Sequence, residues 1–309
     1  MISRRNIRVK VMQTLYAGLQ EDTALPDKAR LIKYLNRYLD ESTELTITLI
    51  YTITEVARYA ERDALVRASK HLPSASDLNV NTKLAGNTLV WHILELPSYK
   101  QIASQYKPEL KIDHEWIKKL YNELVKSEVY RNYIIEASRE KKQEKEILLY
   151  IFKELILPNE DFTDFLEDIF IHWQDDAEMI EPLIINFLNK PDSYNFAQFI
   201  STEKRNYAQD LLVAVLEKKE VCEELIHAKL QNWDPERTAL LDMIMMRMGI
   251  CEFLYFDTIP PKVTINEYID LAKEYSTPQS GHFVNGILDS IHKDLVADNK
   301  LNKVSHKNK

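Results

Sequence analysis

The chain has 309 residues, room for one large or two ordinary domains, and its 45% hydrophobic content supports a substantial core. Only 5 glycines and 11 prolines, with long helical periodicities in place of alternation, exclude a turn-rich β protein and predict an all-α fold. A net charge of −8 argues against a polyanionic partner when taken alone, yet residues 1–16 hold Arg4, Arg5, Arg8 and Lys10 and no acid, so the sum does not decide.

The first predicted helix covers residues 3–20, capped by Ser3, with Ile7, Val11 and Leu15 in one row and Met12, Tyr16 and Leu19 beside it. Its arginines sit where the helix dipole is already positive, a placement that an anion would offset. Residues 21–28, with Pro26, read as a connector. Three helical rows follow: Leu45 to Ala60, Leu89 to Leu96 (ended by Pro97), and Trp116 through Leu124 to Tyr130. Residues 139–146 read as a mixed-charge helical surface leading into Ile147–Leu157. From Glu160 to Glu181 there are nine carboxylates and no Lys or Arg, on helices showing Phe162, Phe165, Ile169 and Trp173; Asp175-Asp176 reads as solvated surface.

Helices are next expected from Thr202 and across Val221–Leu230, then from Asp234-Pro235 through Leu241, Ile244, Met248, Cys251 and Tyr255. Pro260-Pro261 ends that run. Thr264-Ile265-Asn266-Glu267 reads as a capping box opening a helix through Ile265, Ile269 and Ala272. The turn 276–281 breaks it, and a last helix carries Phe283, Ile287, Leu288, Ile291 and Leu295. Asn285-Gly286 inside that helix predicts close helix packing with a buried Asn285. Residues 298–309 read as a basic, disordered tail.

No apolar run is long enough to span a membrane and residues 1–5 lack a signal-peptide core, so a cytoplasmic protein is expected. Cys222 and Cys251 occupy apolar faces and read as small core residues of a reducing compartment, without a disulfide or metal role. The five scattered glycines form no phosphate-cradling loop, and no nucleophile–base or metal-ligand spacing occurs. Neither catalysis nor a cofactor is expected.

The order of residues adds more. W-x(3)-R at Trp233 and Arg237, L-D-x(4)-R-x-G-x-x-E from Leu241 to Glu252, P-x-K-V-T-I-N-E-Y-I-D-L-A-K-E-Y-S from Pro260 to Ser276, and S-G-H-F-V-N-G-I-L-D from Ser280 to Asp289 together resemble the NusB family of bacterial transcription antitermination factors. The start, R-R-x-x-R-x-x-V-M-Q-T-L-Y from Arg4 to Tyr16, resembles the same family. The resemblance implies two small helical bundles formed by residues 1–20 and 160–297, with 21–159 as a helical insertion. It also implies binding of boxA in nascent ribosomal RNA, jointly with the small-subunit ribosomal protein NusE, within the RNA polymerase antitermination complex. Carried over by position, Arg4, Arg5, Arg8, Gln13, Ser280, His282 and Phe283 would contact RNA, and Tyr16 and Asp242 would dock the protein partner. Phe283 is open to two readings, base stacking or core; for Tyr16 the core reading is favoured, and for Asp242 the choice between docking and structure is left open. A homodimer is left open. His282 replaces a cation common in the family, which weakens phosphate attraction, and Gln279 replaces an acid of its relatives, which removes a repulsive charge. Two rivals stand: a protein-binding adaptor in ribosome biogenesis without specific RNA recognition, and an accessory to rRNA modification.

Overall fold

The computed structural model describes residues 2–20, 27–230, 238–301 and 303. Among these every regular element is helical, so the all-α expectation holds. The chain divides into two compact units, Asp40–Ile200 and Ile2–Leu39 with Ser201–Lys309. Where the sequence reading divides the chain at 159, the compact unit continues to Ile200.

Helix α1 spans Arg4–Gln20. Ser3 Oγ accepts from the Asn6 N–H at 3.2 Å and caps it, as expected. Of the connector expected at 21–28, residues 21–26 lie outside the described residues and Lys28 already starts the next helix. Helix α2, Lys28–Ala68, is 41 residues long, with residues 28–39 in the second unit and 40–68 in the first. Leu45, Leu49, Ile53, Val56 and Ala60 are all buried, as their spacing requires. Several threonines are buried beside them, and Thr46 and Thr52 each satisfy their hydroxyl on a carbonyl one turn back, at 2.9 Å.

The rest of the 40–200 unit comprises α3 (Ala75–Leu78), α4 (Thr88–Glu95), α5 (Pro97–Tyr106), α6 (His114–Leu124), α7 (Glu128–Ile135), α8 (Lys141–Tyr150), α9 (Glu160–Ile169) and α10 (Trp173–Asn189). The predicted row from Trp116 to Tyr130 is two helices, because Ser127 caps a new one by accepting from the Tyr130 N–H at 3.1 Å. Two acids expected on the surface are buried. Glu144 accepts from the Thr88 N–H at 2.5 Å and from Tyr133 OH at 2.6 Å, holding the start of α4. Asp176 accepts from Ser42 Oγ at 2.9 Å. Trp173 begins α10 and does not share the α9 face; Trp116 packs edge-on against Phe162 instead.

The second unit adds α11 (Thr202–Glu217), α12 (Lys219–His227), α13 (Leu240–Tyr255), α14 (Pro261–Tyr275) and α15 (Ser280–Ala297). Helix α13 is buried nearly all round, and α1, α11, α12, α14 and α15 pack against it. Its expected start at Asp234 lies outside the described residues. Cys222 and Cys251 are free and buried, with their sulfurs 3.6 Å apart. Arg247 is paired with Glu223 of α12.

Three expectations are corrected here. The Thr264–Glu267 capping box does not form: α14 begins three residues earlier at Pro261, whose missing N–H is no loss in a first turn. Its buried row is Thr264, Tyr268, Leu271 and Ala272, so Ala272 is buried as predicted while Ile265 and Ile269 are only half-buried. Lys303, assigned to a disordered tail, donates to the carbonyls of Glu252 and Phe256 at 2.7 and 2.8 Å, satisfying orphan acceptors at the end of α13. Asn285 and Gly286 face solvent, and nothing lies within 4 Å of where a Gly286 side chain would begin. Gly286→Ala is expected to stabilise the protein by about 1 kcal/mol in a urea titration, through helix propensity alone.

Candidate nucleic-acid interface

Helix α1 presents its cations in two layers. Arg4 and Arg5 lie at the rim. Arg4 Nη2 meets Glu203 Oε1 at 2.8 Å with its guanidinium over the Tyr207 ring, and Arg5 Nη2 meets Glu274 Oε2 at 2.5 Å. Both pairs are solvated, the class of ion pair worth about 0–1 kcal/mol, so an incoming phosphate competes with the carboxylates at small cost.

Arg8 is different. It is 2% exposed and gives two bonds to Glu252, from Nε at 2.7 Å and Nη2 at 3.2 Å, and a third from Nη1 to Glu267 at 3.1 Å. Glu252 is fully buried and also accepts from Tyr207 OH at 2.6 Å, Thr264 Oγ1 at 2.8 Å and Tyr268 OH at 2.9 Å. Burial by itself disfavours the charged guanidinium, but Glu252 outweighs it and holds the Arg8 proton more firmly than in water. Burial and then the Glu252 charge push both tyrosines up, keeping them neutral donors. Arg8 therefore does not face phosphate, which corrects its assignment to the RNA surface.

The remaining candidates sort by exposure. Gln13 is half-buried on α1 and Tyr16 is 40% exposed, so Tyr16 belongs to the surface and not to the core. The first turn of α15 exposes His282 and half-exposes Phe283, with Gln279 exposed just before it. Ser280 is 2% exposed and Asp242 5%, and they bond each other, with Ser280 Oγ donating to Asp242 Oδ2 at 2.8 Å. Neither offers a side chain to a partner in this conformation, which corrects both assignments. The Arg5–Glu274 pair ties the start of α1 to the last turn of α14, and the turn that follows carries Gln279 and His282. Glu252 reads from the sequence as a structural, paired residue of the central helix, but that Glu203, Glu252, Glu267 and Glu274 organise these arginines is not readable there. The signal available was the position of Arg8 at three- and four-residue steps from Val11, Met12 and Leu15.

A helical unit of this kind, with exposed arginines opening one helix and a polar turn tethered to it, defines a candidate anion-binding domain. The model of the NusB family matches residues 164–293. The chain is 42% identical over 99 residues to the transcription antitermination protein NusB of Salinibacter ruber (strain DSM 13855 / M31), covering 32% of this chain and 62% of that relative. It is 44% identical over 103 residues to the protein of that name from Methylacidiphilum infernorum (isolate V4), covering 33% of this chain and 71% of the relative. Against that from Desulfatibacillum aliphaticivorans it is 33% identical over 138 residues, 45% of this chain and 91% of the relative. The chain belongs to the NusB family. The family match begins inside the 40–200 unit and leaves α1 outside it. No helix among the described residues is long and apolar enough to cross a membrane.

Glu252→Ala is expected to lower unfolding free energy by about 3–5 kcal/mol in urea, because it removes two of the three bonds that compensate the buried Arg8 charge and leaves only Glu267. Removing both charges with Arg8→Met and Glu252→Met together is expected to cost less than the single change, a non-additivity that a double-mutant cycle reads directly.

Proposed function

We propose that this chain is a transcription antitermination factor that binds single-stranded boxA RNA of nascent ribosomal transcripts together with ribosomal protein NusE, within the RNA polymerase antitermination complex. The observation that carries the reading is the tether between Arg5 and Glu274, which joins exposed cations to the turn bearing Gln279, His282 and Phe283. Phosphates engage Arg4 and Arg5, contacts that position the strand but carry no sequence information. Selectivity then falls to the α14–α15 turn, where an unstacked base meets His282 and the half-exposed ring of Phe283. Tyr16, exposed on the same helix as the arginines, is the surface residue retained for the protein partner. Arg8, Ser280 and Asp242 are removed from the contact set by their burial.

Fluorescence anisotropy of labelled boxA RNA against a scrambled strand, with and without NusE and at two salt concentrations, tests this. Arg4→Ala and Arg5→Ala are expected to weaken both RNAs alike, and each to reduce the salt slope by about 0.7, the value for one phosphate on a single strand. His282→Ala is expected to narrow the difference between the two RNAs, and His282→Arg to strengthen both. Equal binding of both RNAs in the presence of NusE removes the boxA reading and leaves a protein adaptor.

A further inference from the structure

We propose that Asp242 is a positioning residue for RNA recognition: from inside the fold it sets the shape of the turn that presents His282 and Phe283. This rests on the RNA-binding reading above. The turn between α14 and α15 is short, and its one buried side chain with a polar tip is Ser280. The Ser280 hydroxyl has a single proton, and Asp242 Oδ2 takes it at 2.8 Å. With that proton committed, Ser280 Oγ is left as an acceptor. It receives the Thr277 N–H at 3.2 Å and the Thr277 hydroxyl at 2.8 Å; Ser276 Oγ, at 3.0 Å, is a second acceptor within reach of the same proton, but it is neutral and more distant than the carboxylate. The Asp242 carboxylate thus orients a hydroxyl that in turn holds the backbone of the turn.

The geometry passes outward from there. The Ser280 N–H returns to Thr277 O at 2.9 Å, and the N–H groups of His282 and Phe283 both reach Gln279 O at 3.1 Å. A second constraint acts from the other side. A side chain at Gly281 would begin 2.8 Å from Lys273 Cγ and 3.6 Å from the Ile269 carbonyl, so the α15 backbone lies directly against α14. Ser280 is fastened to α13 and Gly281 is pressed on α14, which leaves the exposed His282 one defined place. The arrangement is costly in one respect: Asp242 Oδ1 is buried without a hydrogen-bond partner among the described residues. A residue kept only to fill space would not need that carboxylate.

Two measurements on Asp242→Ala, Asp242→Asn and Ser280→Ala separate this role from a merely structural one. In amide hydrogen exchange on the free protein, Asp242→Ala and Ser280→Ala are expected to lose protection at residues 280–283, with α13 and the later turns of α15 unchanged. Asp242→Asn keeps an acceptor for Ser280 and is expected to restore protection. In boxA anisotropy the two alanine variants are expected to lose about tenfold in affinity, the double variant Asp242→Ala with Ser280→Ala to lose no more than either single one, and Asp242→Asn to recover. Unchanged exchange at 280–283 in both alanine variants overturns the proposal, as does additivity in the double variant. If the wild-type protein does not prefer boxA, the RNA reading fails by itself, and the exchange experiment still decides whether Asp242 sets the turn. Should Asp242→Ala not fold, Ser280→Ala carries the same comparison from the other side of the bond.

Discussion

The second unit depends on one buried carboxylate. Glu252 sits near the end of α13, fully enclosed, and gathers donors from α1 (Arg8), α11 (Tyr207) and α14 (Thr264 and Tyr268). Hydrophobic contact is non-directional and would let these helices slide or rotate against α13. A carboxylate in low dielectric does not, because each misplaced donor leaves a charge poorly solvated. The gain from such a cluster over a packed apolar one is small, since desolvation consumes most of the attraction. Its effect on geometry is large. It fixes the rotation of α1, and with it which arginines reach the rim.

That rotation decides the candidate interface. Arg4, Arg5 and Arg8 are equivalent as residue types, and all three have acidic partners. They differ in what it costs to change partner. A solvated pair at Arg4 or Arg5 gives up little when phosphate replaces Glu203 or Glu274. Extracting Arg8 would strand Glu252 and open the cluster that sets the helix. The same division applies to the turn before α15. His282 and Gln279 are free to meet a ligand because Ser280 and Asp242 are not.

Much of the fold was legible because its signals are local. The Ser3 cap of α1, the buried row from Leu45 to Ala60, and the break between α4 and α5 at Pro97 each depend on residues within a few turns. What failed was long-range. Thr264 and Glu267 match a capping box at short range, but Glu252 and Arg8 recruit them across helices, and the two prolines before them already start α14. Glu144 and Asp176 look like surface acids until Tyr133 and Ser42, distant in sequence or on another helix, are brought to them. Gly286 departs in the opposite sense: a mid-helix glycine suggests close packing, and here it faces open space. The candidate site divided the same way: residue types were readable, and which of them were exposed was not.

Charge shows why a sum misleads. Residues 40–200 hold 28 carboxylates against 18 lysines and arginines, whereas the rest of the chain holds 20 against 22. The net −8 is therefore almost wholly a property of one unit, and the unit with the candidate interface is close to neutral. Screening at physiological salt confines each charge to roughly 8 Å, so a phosphate on α1 responds to Arg4, Arg5 and their immediate carboxylates far more than to the total. The two arginines are each met by a carboxylate, Glu203 or Glu274, which offsets much of their charge until those carboxylates swing aside. Such a surface attracts a polyanion weakly at a distance and holds it only on contact. On the proposed RNA-binding reading, a strand that makes few phosphate contacts would gain its remaining affinity from base contacts at the turn and from a second protein sharing the strand.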